Sequence, residues 1–229
     1  MGLDADDLSY IDDEIQKLQA KGTLPSVGLK AEEVLYRVQD AAHLNAEHFG
    51  VPTENLGRYN DPECKRGVLY GAQDPEGALG ETFCRTRSDG PLRERKGYIQ
   101  LSDLSTRNMA TVRTTRDLVL LDISKALPKL KMSIDLIAGT DYKPTQQVVS
   151  TLLNLPGQPY DGIAYHSRHY QNGKFCVALW EREGSEKPVK TEKLELLSDF
   201  SVPSEAPDGT VSTIDTEEIL TEVLGFKVM

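Results

Sequence analysis

Arg37 stands in the middle of an apolar run, Val34-Leu35-Tyr36-Arg37-Val38. A guanidinium in such a setting needs an anion to offset the loss of water. For Arg37 taken alone, an ion pair with a core carboxylate is the favoured account. Arg58, in the loop Gly57-Arg58-Tyr59-Asn60-Asp61-Pro62, is by itself a charged loop residue. Tyr70, in Val68-Leu69-Tyr70-Gly71-Ala72, is by itself a core aromatic, and Glu81, on the helix that follows, is by itself a solvated carboxylate. In combination and in this order they supply two guanidinium groups, an aromatic face and one carboxylate.

The ordered set resembles the RES domain, a family named for its Arg, Glu and Ser residues. Its members show an aromatic–Arg strand start, a loop of GGRWN type, a strand of YLA type, and a glutamate eleven residues after that tyrosine, the separation of Tyr70 and Glu81 here. The family serine falls at the end of a strand that Tyr160-Asp161-Gly162-Ile163-Ala164-Tyr165-His166-Ser167-Arg168 matches, which makes Ser167 its counterpart. Thr145-Gln146 matches a pair that opens the preceding helix in the family. The chain departs from the pattern at Leu56, where a glycine is frequent, at Tyr59, which stands for tryptophan, and at His166, which stands for proline. The resemblance covers about residues 33–182.

The resemblance implies an α+β fold like that of ADP-ribosyltransferases, with two small sheets flanking an NAD⁺ cleft and helices at the periphery. It also implies cleavage of the nicotinamide–ribose bond by hydrolysis or phosphorolysis. Inorganic phosphate is a co-substrate in the second case, and no cofactor or metal is needed beyond NAD⁺ as substrate. Many such proteins are toxins that an antitoxin blocks. The residue types suit this chemistry. Guanidinium forks hold a pyrophosphate bidentately, the role expected for Arg37 and Arg58. A fixed carboxylate, Glu81, steadies an oxocarbenium-like state while accepting a hydrogen bond from the ribose. Tyr70 is expected to pack against the nicotinamide ring. Ser167 is expected to orient Glu81 or the ribose by a hydrogen bond.

Two other functions fit the same residues: mono-ADP-ribosylation of a protein, and a binding module without turnover. Leu79, Gly80 and Thr82 beside Glu81 offer no second carboxylate for a protein acceptor, which speaks against the first. A cognate antitoxin or inhibitor protein and a second copy of the chain are the protein partners left open. Arg85, Arg87, Arg93, Arg95 and Lys96 crowd a short segment after Glu81. They are expected as a solvated run or, alternatively, as a basic lip of the cleft.

The elements that must position these side chains can be read in outline. Leu8, Ile11, Ile15 and Leu18 recur at helical spacing, stopped by Gly22 and Pro25. Strands are expected at 34–38, 68–72, 98–101 and 118–123. Asp74-Pro75 starts the helix of Glu81, and another helix begins at Pro144. Asn172-Gly173 signals a hairpin between 161–167 and 175–180. Residues 184–190 and 203–210 read as linkers, and an amphipathic helix is expected over 214–224. The resulting division is an N-terminal helical extension (1–30), a catalytic domain (31–183) and a C-terminal extension with a terminal helix (184–229). Short strands with interspersed helices argue for α+β.

The whole chain carries a net charge of −10, which argues against nucleic acid as partner. An acidic protein that binds a polyanion must concentrate its arginines in one cleft. With 38% hydrophobic and 27% charged residues over 229, a packed core is expected. No apolar run reaches membrane-spanning length, and the acidic start, Asp4 to Asp7, is unlike a signal peptide. Cys64, Cys84 and Cys176 form no CxxC pair and are expected as reduced, packed thiols in a cytoplasmic protein. The four histidines lie at no known metal-ligand spacing.

Overall fold

The computed structural model describes residues 4–51, 56–87, 97–139, 141–205, 209 and 211–229. Helix α1 (Ala5–Ala20) starts at Asp4, whose carboxylate accepts from the Asp7 amide while Asp7 caps back. Its Ile11 and Ile15, one turn apart, are buried in the core. Gly22 (φ +63°) makes the left-handed turn that ends the segment. The chain then runs β1 (Ser26–Leu29), β2 (Val34–Asp40), β3 (Val68–Ala72), α2 (Pro75–Arg87), β4 (Tyr98–Ile99), α3 (Leu101–Ser105), β5 (Arg107–Thr114) and β6 (Leu118–Asp122). It continues through α4 (Ile123–Ala126), α5 (Ile134–Ala138), α6 (Lys143–Asn154), β7 (Gly162–Tyr165), β8 (Cys176–Trp180), β9 (Val189–Leu196), β10 (Ser201–Glu205) and β11 (Val211–Asp215). Last come α7 (Thr216–Glu218), a π-helical turn (Ile219–Val223) and β12 (Lys227–Val228).

Eight strands hydrogen-bond into one sheet in the order β1-β6-β7-β8-β3-β2-β5-β9, where two small sheets were expected. Two-stranded pairs, β10–β11 and β12–β4, lie outside it. Every neighbour pair in the large sheet is antiparallel except β6–β7, whose parallel crossover contains α4, α5 and α6. The sheet is not uniformly joined. Strands β2 and β3 meet at one residue pair, Tyr36↔Ala72, whereas β2 pairs with β5 along its whole length from Val34 to Asp40. A five-strand part and a three-strand part therefore diverge on one side of that contact.

Burial divides between the faces of this sheet. One face holds the larger core with α1, α2 and α6, including Leu79, Phe83, Val148, Val149 and Trp180. The other packs Leu35, Leu69, Leu120 and Leu179 under the 41–50 segment, which contributes Ala46 and Phe49. The alternation of Leu35 and Tyr36, and of Leu69 and Tyr70, between the two cores is the period of two expected of strands.

The terminal segments are built into this frame. The Asp12 carboxylate on α1 accepts from the Gln147 amide at 2.8 Å and from the Thr151 hydroxyl on α6. Strand β1 forms one edge of the sheet by pairing with β6, and β9 forms the other by pairing with β5. The helix expected over 214–224 is present from Thr216 to Val223, as α7 continued by the π-helical turn, while Ile214 and Asp215 end β11. Asp215 and Glu218 form a capping box that fixes the start at Thr216, two residues later than the apolar periodicity suggests. Likewise β9 and β10 occupy parts of the stretches read as linkers, because pairing with a neighbouring strand compensates their polar sequences. The hairpin of β7 and β8 forms with Tyr165↔Cys176 as its last pair, so Asn172-Gly173 sits within a longer connection.

Gly162, in the motif before Ser167, is required by close backbone approach. A Cβ there would lie 2.1 Å from the Ala178 carbonyl oxygen on β8. Gly162→Ala is expected to lower unfolding free energy by about 2 kcal/mol, measured by denaturant titration, with loss of the β7–β8 register. A stability equal to the parent would show that the strands separate there without strain.

Candidate functional site

The divergence of β2 and β3 opens a cleft of about 420 Å³. Arg37 enters it from β2, Tyr70 from β3, Glu81 from α2, and Arg58 from the loop before β3. Among the described residues, four arginines (Arg37, Arg58, Arg107 and Arg168) line the cleft against one carboxylate, Glu81. In a chain of net charge −10 this is a local reversal of sign, and low-dielectric walls focus such a field on an entering anion.

Among the described residues no carboxylate neutralises Arg37 or Arg58. Arg37 Nη1 donates to the carbonyls of Ala46 and His48, both at 3.1 Å. The core carboxylate favoured as partner for Arg37 taken alone is not found among the described residues. Burial pulls the Arg37 pKa down from the ordinary arginine value. Its Nε is buried with no hydrogen-bond partner, and so is Nε of Arg58. Arg58 lies with its guanidinium carbon 5.4 Å from the centre of the Tyr142 ring, at the start of α6.

The loop carrying Arg58 is tied down from two sides. The Tyr70 hydroxyl accepts from the Tyr59 amide and donates to Asn60 Oδ1, both at 3.0 Å. Gln146 Nε2 on α6 donates to the Gly57 carbonyl at 3.2 Å, a contact made by the second residue of the Thr145-Gln146 pair. A Cβ at Gly57 would meet Asn60 Oδ1 at 2.5 Å and the Tyr70 hydroxyl at 3.0 Å, so a side chain there would displace the hydrogen-bonded pair that holds the loop. Below it the Trp180 indole donates to the Tyr59 carbonyl at 3.0 Å.

Glu81 reaches the cleft because α2 starts at Asp74, whose carboxylate accepts from the Gly77 amide at 2.7 Å, and buries Leu79 and Phe83 away from the cleft. One carboxylate oxygen accepts from Ser167 Oγ at 2.7 Å and the other from the Tyr165 hydroxyl at 3.3 Å. Ser167 is buried, and its Oγ accepts from the amides of His169 and Tyr170, at 3.1 and 3.3 Å. With its lone pairs so occupied, its proton is directed at Glu81. The five residues expected to act together, Arg37, Arg58, Tyr70, Glu81 and Ser167, are thus gathered around one cleft. Ser167 stands behind Glu81 rather than on the cleft wall.

Other cleft residues escaped the sequence reading. Tyr165 is two positions before Ser167 on the same strand end, a period-two relation visible in the motif. Arg168 adjoins Ser167, with Nη1 on the Ala138 carbonyl at 2.7 Å. Arg107 opens β5, a strand the sequence reading did not expect, its guanidinium carbon 5.6 Å from the Phe83 ring centre. Tyr142 carried no signal. Arg93, Arg95 and Lys96 lie outside the described residues, as do the side chains of Arg85 and Arg87. No group of three or more His, Cys, Asp or Glu placed to hold a metal occurs among the described residues. No helix among them is long and apolar enough to cross a membrane.

Burial pushes the Tyr59 and Tyr165 phenols above the ordinary value of 10.0; Glu81's charge adds to the rise at both, and Arg58 opposes it at Tyr59. Burial likewise raises the Cys176 thiol, so it stays protonated as a packed side chain.

A mixed α+β chain with a basic cleft and one clamped carboxylate is the class that fold and site define. The RES domain family model matches residues 34–199. The chain belongs to the RES domain family. In fold it is similar to a chain of the M. tuberculosis MbcT-MbcA toxin-antitoxin complex, whose crystal structure superposes with a TM-score of 0.55 at 16% identity. That alignment covers 98% of this chain and 99% of the other. No curated protein matches the chain.

The raised phenols make stability depend on alkaline pH. The folded chain retains protons that unfolded tyrosines release above about pH 10, so this contribution is complete below that pH and is lost as pH rises past it. Tyr59→Phe is expected to flatten the decline in unfolding free energy between about pH 9 and about pH 11. A decline as steep as the parent's would mean that Tyr59 ionises as freely folded as unfolded.

Proposed function

We propose that this chain cleaves the nicotinamide–ribose N-glycosidic bond of NAD⁺, by hydrolysis or phosphorolysis. The observation that carries the reading is the pairing of a hydroxyl-clamped carboxylate, Glu81, with partly buried guanidinium groups, those of Arg37 and Arg58, that no carboxylate among the described residues neutralises. Arg37 and Arg58 bind the pyrophosphate, their uncompensated donors being satisfied by its oxygens. Tyr70 presents its ring to the nicotinamide. As the C–N bond lengthens, its electron pair passes to the ring nitrogen and discharges the pyridinium, so the leaving group needs no proton. Positive charge grows on the ribose, and Glu81 stabilises it, held in place by Ser167. A water molecule, giving up one proton to solvent, or an oxyanion of phosphate then bonds to the anomeric carbon.

The fold shared with a member of a toxin–antitoxin complex supports a further part of this reading. The chain acts in the cytoplasm as a toxin that depletes NAD⁺, and a cognate antitoxin restrains it.

Purified protein is expected to release nicotinamide from NAD⁺, and Glu81→Gln to lower kcat by roughly a hundredfold or more, followed by chromatography of the products. Equal rates for Glu81→Gln and the parent would overturn the mechanism. ADP-ribose-1″-phosphate, formed only when phosphate is present, separates phosphorolysis from hydrolysis. Labelled NAD⁺ that instead modifies a protein band in lysate would favour ADP-ribosyl transfer.

A further inference from the structure

We infer that Tyr165 is a positioning residue for catalysis, the second hydroxyl that locks the Glu81 carboxylate in its working orientation. This inference rests on the role proposed for Glu81. A glutamate side chain on a helix has three rotatable bonds, and a single hydrogen bond leaves its carboxylate free to pivot about that contact. Here two donors grip opposite oxygens. Ser167 Oγ lies 2.7 Å from one and the Tyr165 hydroxyl 3.3 Å from the other. Both donors come from one strand end, two residues apart, so their spacing is set by backbone geometry.

The setting of Tyr165 keeps it a donor. Its side chain is 4% exposed, and its ring packs against Tyr59 with centroids 4.8 Å apart and planes at 44°. The Cys176 residue paired with it across β7 and β8 is buried too. The ring therefore cannot swing away without opening the core, and the hydroxyl points where Glu81 is. The phenol remains protonated over the working pH range because burial opposes its ionisation. The catalytic consequence is that the carboxylate lies pre-aligned for charge that exists only in the transition state. Substrate binding, which falls to the arginines, does not need it. A residue of this kind affects kcat rather than KM.

Tyr165→Phe removes the hydroxyl and keeps the ring against Tyr59. It is expected to lower kcat for nicotinamide release by about tenfold, with KM for NAD⁺ within about twofold and melting temperature nearly unchanged. In a cycle with Ser167→Ala, the combined loss should differ from the product of the single losses by threefold or more, because both hydroxyls act through one carboxylate. An unchanged kcat, a rise in KM alone, or strictly multiplicative losses would each overturn the assignment. These outcomes leave the proposed function standing so long as the parent is active and Glu81→Gln is not. A parent that releases no nicotinamide, or an undiminished Glu81→Gln, refutes the proposed function and the role of Tyr165 with it.

Discussion

The site depends on how little backbone joins β2 to β3. A fully paired ladder at that place would leave each strand's neighbour about 5 Å away, with no room for a ligand between them. The contact Tyr36↔Ala72 keeps the two parts of the sheet in register, and beyond it they separate. The unpaired stretch allows Arg37 and Tyr70 to face a common space from opposite sides. It also leaves backbone groups to be satisfied otherwise, and the Gly50–Val68 bridge supplies two such bonds, at 3.0 and 3.1 Å.

Opening the sheet creates an electrostatic problem that the structure meets with carbonyls rather than carboxylates. Arg37 takes two carbonyl oxygens of the 41–50 segment, and Arg58 takes the face of Tyr142. Either guanidinium could have been neutralised by an acidic side chain in a chain with 36 of them. Carbonyl dipoles and an aromatic face hold a cation in place while leaving its full charge for a ligand. The acidic residues elsewhere do engage in pairing. Asp161, buried at the foot of β7, accepts from Arg116 at 2.7 Å and from the Val119 amide at 2.9 Å, and pairs by charge with Arg182 at 3.1 Å. That is a structural ion pair; among the described residues Arg37 and Arg58 of the cleft form none.

The arrangement also links parts of the fold distant in sequence. The Arg58 loop is held by Tyr70 of β3 and by Gln146 of α6, while α6 is fixed to α1 through Asp12. The N-terminal helix thus buttresses the element that carries Tyr142 and Gln146. On the other side of the cleft, Glu81 is positioned by α2 and gripped from the end of β7. Arg37, Tyr70 and Glu81 stand on strands or a helix, and the loops that bear Arg58 and Ser167 are tied to such elements by hydrogen bonds.

Local physics made several features legible in the sequence: the capped start of α2, the helix at Pro144, the strands around Arg37 and Tyr70, and the hairpin ending at Tyr165. Each rests on interactions within a few residues, such as Asp74 to Gly77 or alternation along a strand. The residues Arg37, Arg58, Tyr70, Glu81 and Ser167 were legible as a set through the resemblance of their order and spacing to the RES domain. What the sequence did not disclose depends on long-range pairing. Strand β5 reads as a polar mixture, Arg107-Asn108-Met109-Ala110-Thr111, and becomes a strand because β2 and β9 flank it. Whether the strands make one sheet or two turns on a single pair between Tyr36 and Ala72, about which neither local sequence says anything. Arg107, Tyr142 and Tyr165 reach the cleft only through folding. A side chain's type is written in the chain, but the company it keeps is decided where strands distant in sequence meet and part.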